Sequence, residues 1–373
     1  MGILRALLAL AVVFAHTPAA DSLPILMPGS DAVRVFYIIS GFLISYILDT
    51  NTNYRNTPKF LENRFLRLYP IYWTVAALSL GAHFVADRHF FDRFAAMPPA
   101  ALALVVVSTV ILFGQDWVMF ASVHGGHLSF SGQFYNSDVL LYRALLVPQA
   151  WTLGIELTFY LIAPFVLRRR KLILLLLAMS LILRIALIVN GVGLKDPWTY
   201  RFFPAELALF LLGALSHKVL LPLYETHLKA SIRRVSIFAT SALVIYTILF
   251  NCISIPWTVK EFILLSAYLV LLPLAFVFQN SVKTDKRIGE LSYPLYIGHL
   301  IVIEIVSLLL TRIHIKNTYS VTFCGVTASI LFALLLNKFI NKKVERIRAR
   351  IRSGAPVETQ LAGVVVAHNL SRP

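Results

Sequence analysis

At 373 residues with 58% hydrophobic and only 14% charged residues, the chain departs from a soluble domain, in which about a quarter of residues are charged. Apolar runs of about 20 residues recur along it, which excludes a soluble globular protein and points to a polytopic membrane protein. The net charge of +16 would suit a nucleic-acid binder, but in a membrane chain lysine and arginine report orientation first, so no nucleic acid is expected as a partner.

The first apolar stretch, 3–20, carries Arg5 and His16. At 100° and 1.5 Å per residue, eleven steps make nearly three helical turns, so the two side chains share one face about 16 Å apart. Ionisable groups inside a span are functional-site candidates, although an isolated Arg5 could be a residue snorkelling to the headgroups. His16 and Pro18 interrupt the run, so it is expected to be a retained span and not a cleaved leader.

The second span, 32–48, reads AVRVFYIISGFLISYIL, and the third, 65–86, opens within NRFLRLYPIYW. Arg64 and Arg67 are three apart and therefore on one face, a pair of planar guanidinium groups suited to an anionic ligand or simply to flanking a membrane. The stretch 101–113 is short and precedes a charge-poor, glycine-containing region, so it could span, re-enter or lie on the surface. Further spans are expected at 150–167, 171–189, 203–221, 235–254, 261–279, 291–311 and 318–340. The fold class is thus all-α, a transmembrane bundle of about ten spanning helices plus one short ambiguous stretch.

The span at 150–167 carries Glu156 near its outer end, with Arg184 and Glu206 expected in the same outer half as possible ion-pair partners. Ser292, Tyr296 and His299 fall in a narrow arc of the span at 291–311, suited to helix packing or to lining the cavity of His16. Cys252 and Cys324 have no metal or disulfide spacing and are expected to be small core residues. No metal is expected.

Counting 101–113 as a non-crossing segment gathers most lysines and arginines on one side: Arg55, Lys59, Arg64 and Arg67; Arg168 to Lys171; Lys218, Lys229, Arg233 and Arg234; Lys283, Lys286 and Arg287; and the tail. Both termini are therefore expected in the cytoplasm. An integral-membrane domain is expected over 1–345 and a basic tail over 346–373, with 338–352 lying as a helix on the anionic leaflet and 353–373 disordered.

These motifs together are similar to acyltransferase family 3, the integral-membrane O-acyltransferases of bacterial surface polysaccharides, lipopolysaccharide and related glycans. The resemblance runs from LRALLALAVVFAH through FYIISGFLI, RFLRLYP and WTLGIELTFYL to LSYPLYIGH. It implies a bacterial inner-membrane enzyme with no permanently bound cofactor that takes acyl-coenzyme A, acetyl-coenzyme A foremost, as co-substrate. The implied acceptor is a hydroxyl of a glycan or lipid-linked sugar. Arg5 and His16 then carry the family's functional pair, with Glu156 expected beside them in catalysis, and Arg64 and Arg67, with Arg5, face the donor. His16 would act as base toward the acceptor hydroxyl or as the carrier of an acyl group. The chain departs from the pattern at Arg34, where many members have an acidic residue, and at Trp151-Thr152, where Trp-Ser is common. A transporter or flippase of a lipid-linked sugar is the competing reading, because buried Arg, Glu and His also line substrate pathways.

Overall fold

A computed structural model of the protein describes residues 1–353 apart from Pro24 and Ala230. The expected disordered stretch therefore lies, beyond Ser353, outside the described residues. The chain folds as helices α1 (Gly2–Ala15), α2 (Gly29–Thr50), α3 (Thr57–Ala86), α4 (Asp92–Ala95), α5 (Pro99–Ile111), α6 (Trp151–Val166), α7 (Arg170–Val189) and α8 (Phe203–Leu215). A π-helical turn, Ser216–Leu220, joins α8 to α9 (Leu221–His227). There follow α10 (Ile232–Leu249), α11 (Trp257–Ser281), α12 (Lys283–Gly289), α13 (Ser292–Arg312), α14 (Thr318–Leu336) and α15 (Lys342–Ser353). The β-structure among the described residues is one hairpin, β1 (Ala121–His124) and β2 (His127–Phe130). Gly125 and Gly126 close it with φ values of +56° and +79°, the conformation that a tight two-residue turn demands.

Among the described residues, eight helical segments are long and apolar enough to cross a membrane. The other two expected spans are shorter: α1 has 14 residues and α6 has 16, about 21 and 24 Å against a hydrocarbon core of about 30 Å. The expected span 3–20 is thus corrected to end at Ala15, with His16 at the C-cap. The cause is local, since Thr17 precedes Pro18 and the proline ring disfavours helical backbone before it. Non-helical backbone at membrane depth is tolerated where it lines a cavity, and His16 and Trp151, at the ends of these two short helices, line the same one.

The centre of the bundle is α2, packed against α8 with backbone nearly touching backbone. A Cβ on Gly41 would lie 1.9 Å from the Phe210 carbonyl oxygen, and one on Gly213 2.0 Å from that of Ile38. Conversely, α7 and α10 turn Ile182, Ile185, Ile237 and Phe238 outward as an apolar surface. Cys252 is also exposed and Cys324 half-buried, so neither is the core residue that its apolar surroundings suggested.

The ambiguous stretch, now α5, ends partway along α3. Its last carbonyls accept hydrogen bonds from α3: Thr109 from Tyr72 (2.6 Å), Val110 from the Trp73 indole (3.0 Å) and Ile111 from Tyr69 (2.5 Å). These donors stand about 20 Å short of the end of α3 at Ala86. Leu112 (φ +61°) and Gly114 (φ +76°) then reverse the chain, which returns along the first turn of α6, where Asp116 abuts Gly154. Helix-end carbonyls need partners away from water, and the three aromatic donors supply them.

The basic clusters gather at one end of the bundle around the segment that links α2 to α3. Arg168 donates to the Tyr54 carbonyl (2.6 Å), Lys218 pairs with Asp49, and Arg348 donates to the Asn63 carbonyl (3.3 Å). The tail from Lys338 is not a free surface helix: a π-helical turn at Asn337–Asn341 redirects it, and α15 packs against α3. The domain boundary expected at 345 falls inside α15.

Candidate functional site

Two cavities penetrate the bundle from opposite ends. The first, about 450 Å³, opens among the basic clusters and is lined by Arg5 of α1, Arg64 and Arg67 of α3, and Glu156 and Tyr160 of α6. The second, about 1020 Å³, holds His16 at the end of α1 and opens among the loops before α6 and α8. Val33 of α2 and Tyr296 of α13 line both, so the two spaces adjoin at these side chains.

In the first cavity the guanidinium groups of Arg5, Arg64 and Arg67 are close electrostatic neighbours. None of the three has a carboxylate within salt-bridge distance among the described residues. Arg64 is 5% exposed; it donates to Asn63 Oδ1 (2.6 Å), lies over the rings of Phe60 and Tyr160, and has an Nε with no hydrogen-bond partner. Three guanidinium groups thus face one cavity, none of them paired with a carboxylate at contact distance, and guanidinium forks suit phosphate geometry.

Glu156 belongs to this cavity. Its Oε1 accepts from Ser40 (2.7 Å) and from Tyr160 one turn on, which occupies the carboxylate with hydroxyls. The ion pair of the neighbouring helices is a separate one, Arg184 with Glu206 at 2.6 Å. Arg34, the residue that departs from the family pattern, pairs with Glu261, donates to the Thr199 carbonyl (2.6 Å) and stacks on Trp257. It ties α2 to α11 and lines neither cavity.

His16 is accessible from the second cavity while its ring is fixed from behind. Its Nδ1 lies 2.7 Å from the Val12 carbonyl oxygen and 3.4 Å from His299 Nε2. A carbonyl can only accept, so Nδ1 carries the proton and Nε2 keeps the lone pair. The same reasoning applies to fully buried His299, whose Nδ1 lies 2.6 Å from the Tyr296 carbonyl, so that its Nε2 lone pair faces His16 Nδ1. The two rings stand 4.9 Å apart.

The expected stripe of α13 therefore divides three ways. Ser292 donates to the Gly289 carbonyl (2.8 Å) and lines the basic cavity. Tyr296 stands at the partition, its hydroxyl 2.8 Å from Thr152 Oγ1. His299 supports His16 from outside both cavities.

The second cavity also holds a group that sequence reasoning missed. Arg201 lies 4.2 Å over the Trp151 ring and 4.7 Å over that of Tyr200, and its fork donates to Asp196 at 2.6 and 3.1 Å. Burial opposes its charge, but Tyr200 and Asp196 outweigh that and its net shift is upward. Burial, with Asp196 beside it, pushes the Tyr135 phenol up to about 12, so it stays protonated and donates to Asp196 (3.1 Å). At the far lip, His83, Asp87 and Glu304 bring ligand atoms within 4.8 Å of one another. The signal for that group was the four-residue spacing of His83 on α3 and Asp87 at its C-cap, but nothing in the sequence brings Glu304 to them.

No solved structure matches the chain. A protein of Aquifex aeolicus (strain VF5), described only as an uncharacterized protein, is 26% identical over 219 residues, which cover 54% of this chain and 89% of the relative. Residues 1–338, which carry Arg5, His16, Arg64, Arg67, Glu156 and His299, match the model of a family described as an acyltransferase domain. The chain belongs to acyltransferase family 3 and is a membrane acyltransferase.

Proposed function

We propose that the protein moves an acyl group, acetyl foremost, from acyl-coenzyme A in the basic cavity to a hydroxyl of a glycan or lipid-linked sugar in the second cavity. The observation that carries this reading is the pair of cavities meeting at Val33 and Tyr296, one lined by arginines in excess over carboxylates and the other presenting His16. An acyl-coenzyme A has an anionic head and a flexible arm ending in a thioester. Arg5, Arg64 and Arg67 suit the head, and an arm passing Tyr296 would bring the thioester toward His16. Family membership sets the transporter or flippase reading aside, since the family is one of acyltransferases.

In the reaction, His16 Nε2 takes the proton of the acceptor hydroxyl as its oxygen bonds to the thioester carbonyl carbon. The tetrahedral intermediate collapses, the carbon–sulfur bond breaks, and the imidazolium returns the proton to the departing thiolate. His299 holds the Nδ1 proton of His16 in place, which keeps Nε2 unprotonated at the start of each cycle. The wide cavity, with Trp151, Tyr200 and Tyr135 on its wall, offers the aromatic faces and hydroxyls that sugar rings pack on.

The gathering of basic clusters at the end that holds the first cavity supports an orientation in a bacterial inner membrane with this end and both termini cytoplasmic. The donor then enters from the cytoplasm and the acceptor from the other side. Purified protein incubated with acetyl-coenzyme A labelled in the acetyl group and a panel of bacterial surface glycans is expected to give labelled, alkali-labile ester on one of them. Label transfer to amines only, or to no glycan while coenzyme A is released, would contradict the acceptor assignment.

A further inference from the structure

The tail helix α15, beyond residue 338 where the family match ends, contributes to the basic cavity: Glu345, Arg348 and Arg352 line it together with Arg64 and Arg67. Its seat is specific. Asn53 and Asn51 donate to the Arg352 carbonyl at 2.8 and 3.4 Å, and Asn63 donates to that of Arg348 at 3.3 Å. Arg348 is only 4% exposed, which a helix lying on a lipid surface would not require.

Arg348 and Arg64 donate to the same acceptor, Asn63 Oδ1, at 3.2 and 2.6 Å. Two guanidinium groups sharing one neutral oxygen repel each other in a partly dehydrated site. The carboxylate that offsets this on the tail is Glu345, which accepts from Arg348 and, at 2.6 Å, from Arg352. Across the cavity lining, six cationic side chains face three carboxylates, and Glu156 is already occupied by hydroxyls.

We propose that α15 is the second jaw of the donor site: Arg348 and Arg352 bind phosphate groups of the donor opposite Arg64 and Arg67, and Glu345 is the internal counter-ion that those phosphates displace. The proposal rests on the reading of the basic cavity as the acyl-coenzyme A site. It assigns the tail a ligand-binding role in place of simple attachment to the membrane. A carboxylate that holds two arginines until an anion arrives lowers donor affinity, so its removal acts opposite in sign to removal of the arginines.

The test compares two donors on the full-length protein in detergent, acetyl-coenzyme A and S-acetylpantetheine, which has the same thioester arm and no phosphate. Arg348→Gln and Arg352→Gln should each raise the KM for acetyl-coenzyme A about tenfold, the size of a lost charge-assisted hydrogen bond to phosphate, and leave kcat/KM for S-acetylpantetheine unchanged. Glu345→Gln should lower the KM for acetyl-coenzyme A at least about twofold, and Lys343→Gln, an exposed charge change on the same helix, should do neither. Should Arg348→Gln fail to fold, Arg352→Gln decides, because its guanidinium is 40% exposed. Unchanged KM in the arginine variants, or equal losses with both donors, overturns the proposal while Arg64→Ala can still support the donor site. Wild-type protein that uses S-acetylpantetheine as well as acetyl-coenzyme A overturns both.

Discussion

His16→Ala is expected to reduce acyl transfer at least about 100-fold, the low end of what a positioned acid–base group contributes, with expression and thermal stability close to wild type. Stability is spared because His16 sits at a helix C-cap with its ring open to a cavity and not packed in the core. Its backbone N–H still bonds to the Val13 carbonyl after the side chain is gone. The measurement is turnover of labelled acetyl-coenzyme A under saturating donor, with melting followed in parallel. Transfer within about threefold of wild type by a well-folded variant would remove His16 from the chemistry.

Loss of the arginine pair is expected to act on a different kinetic constant. Arg64→Ala and Arg67→Ala should raise the KM for acyl-coenzyme A by about 10- to 100-fold, because each removes a charged donor that no carboxylate pairs at contact distance. The apparent KM for the acceptor should change little. Arg64→Lys should recover little of the loss: a single ammonium cannot keep the Asn63 bond and meet a phosphate with a second parallel donor. Arg64 is buried, so a fall in stability accompanies its removal; half-buried Arg67 separates the two effects. Titration of the donor at fixed acceptor decides, and equal shifts for donor and acceptor would place the arginines elsewhere in the mechanism.

Much of this site was legible along the chain because it is built on helical registers. Arg5 and His16 share a face by spacing alone, and so do Arg64 and Arg67; the structure adds that Arg5, Arg64 and Arg67 line one cavity and His16 the adjoining one. Glu156 was harder. Tyr160 shares its face of α6 by spacing, but only the packing of α1, α2 and α3 around it brings Ser40 and the arginines into its cavity in place of Arg184 and Glu206. The expected span carried α1 through His16 and Pro18 to Ala20, whereas the steric effect of Pro18 ends the helix at Ala15. The place where 101–113 ends along α3 is fixed by the three aromatic donors of α3, long-range partners that periodicity cannot supply. His299 reads as either a helix-packing residue or a lining of the cavity of His16; it lines neither cavity, and its lone pair is directed at the imidazole that faces the second. The tail was read as a leaflet anchor from its charge, and what charge does not reveal is the row of asparagines, Asn51, Asn53 and Asn63, that seats it.

The central claim is that donor and acceptor enter from opposite sides and meet at His16. It is tested most directly in sealed vesicles holding the protein in one established orientation, with labelled acetyl-coenzyme A confined to the side of Arg64 and Arg67 and a soluble glycan acceptor supplied on one side at a time. The account predicts labelled acceptor only when the glycan is on the His16 side, with donor and acceptor never sharing a compartment. Efficient labelling with both substrates on the arginine side, and none across the membrane, would contradict it.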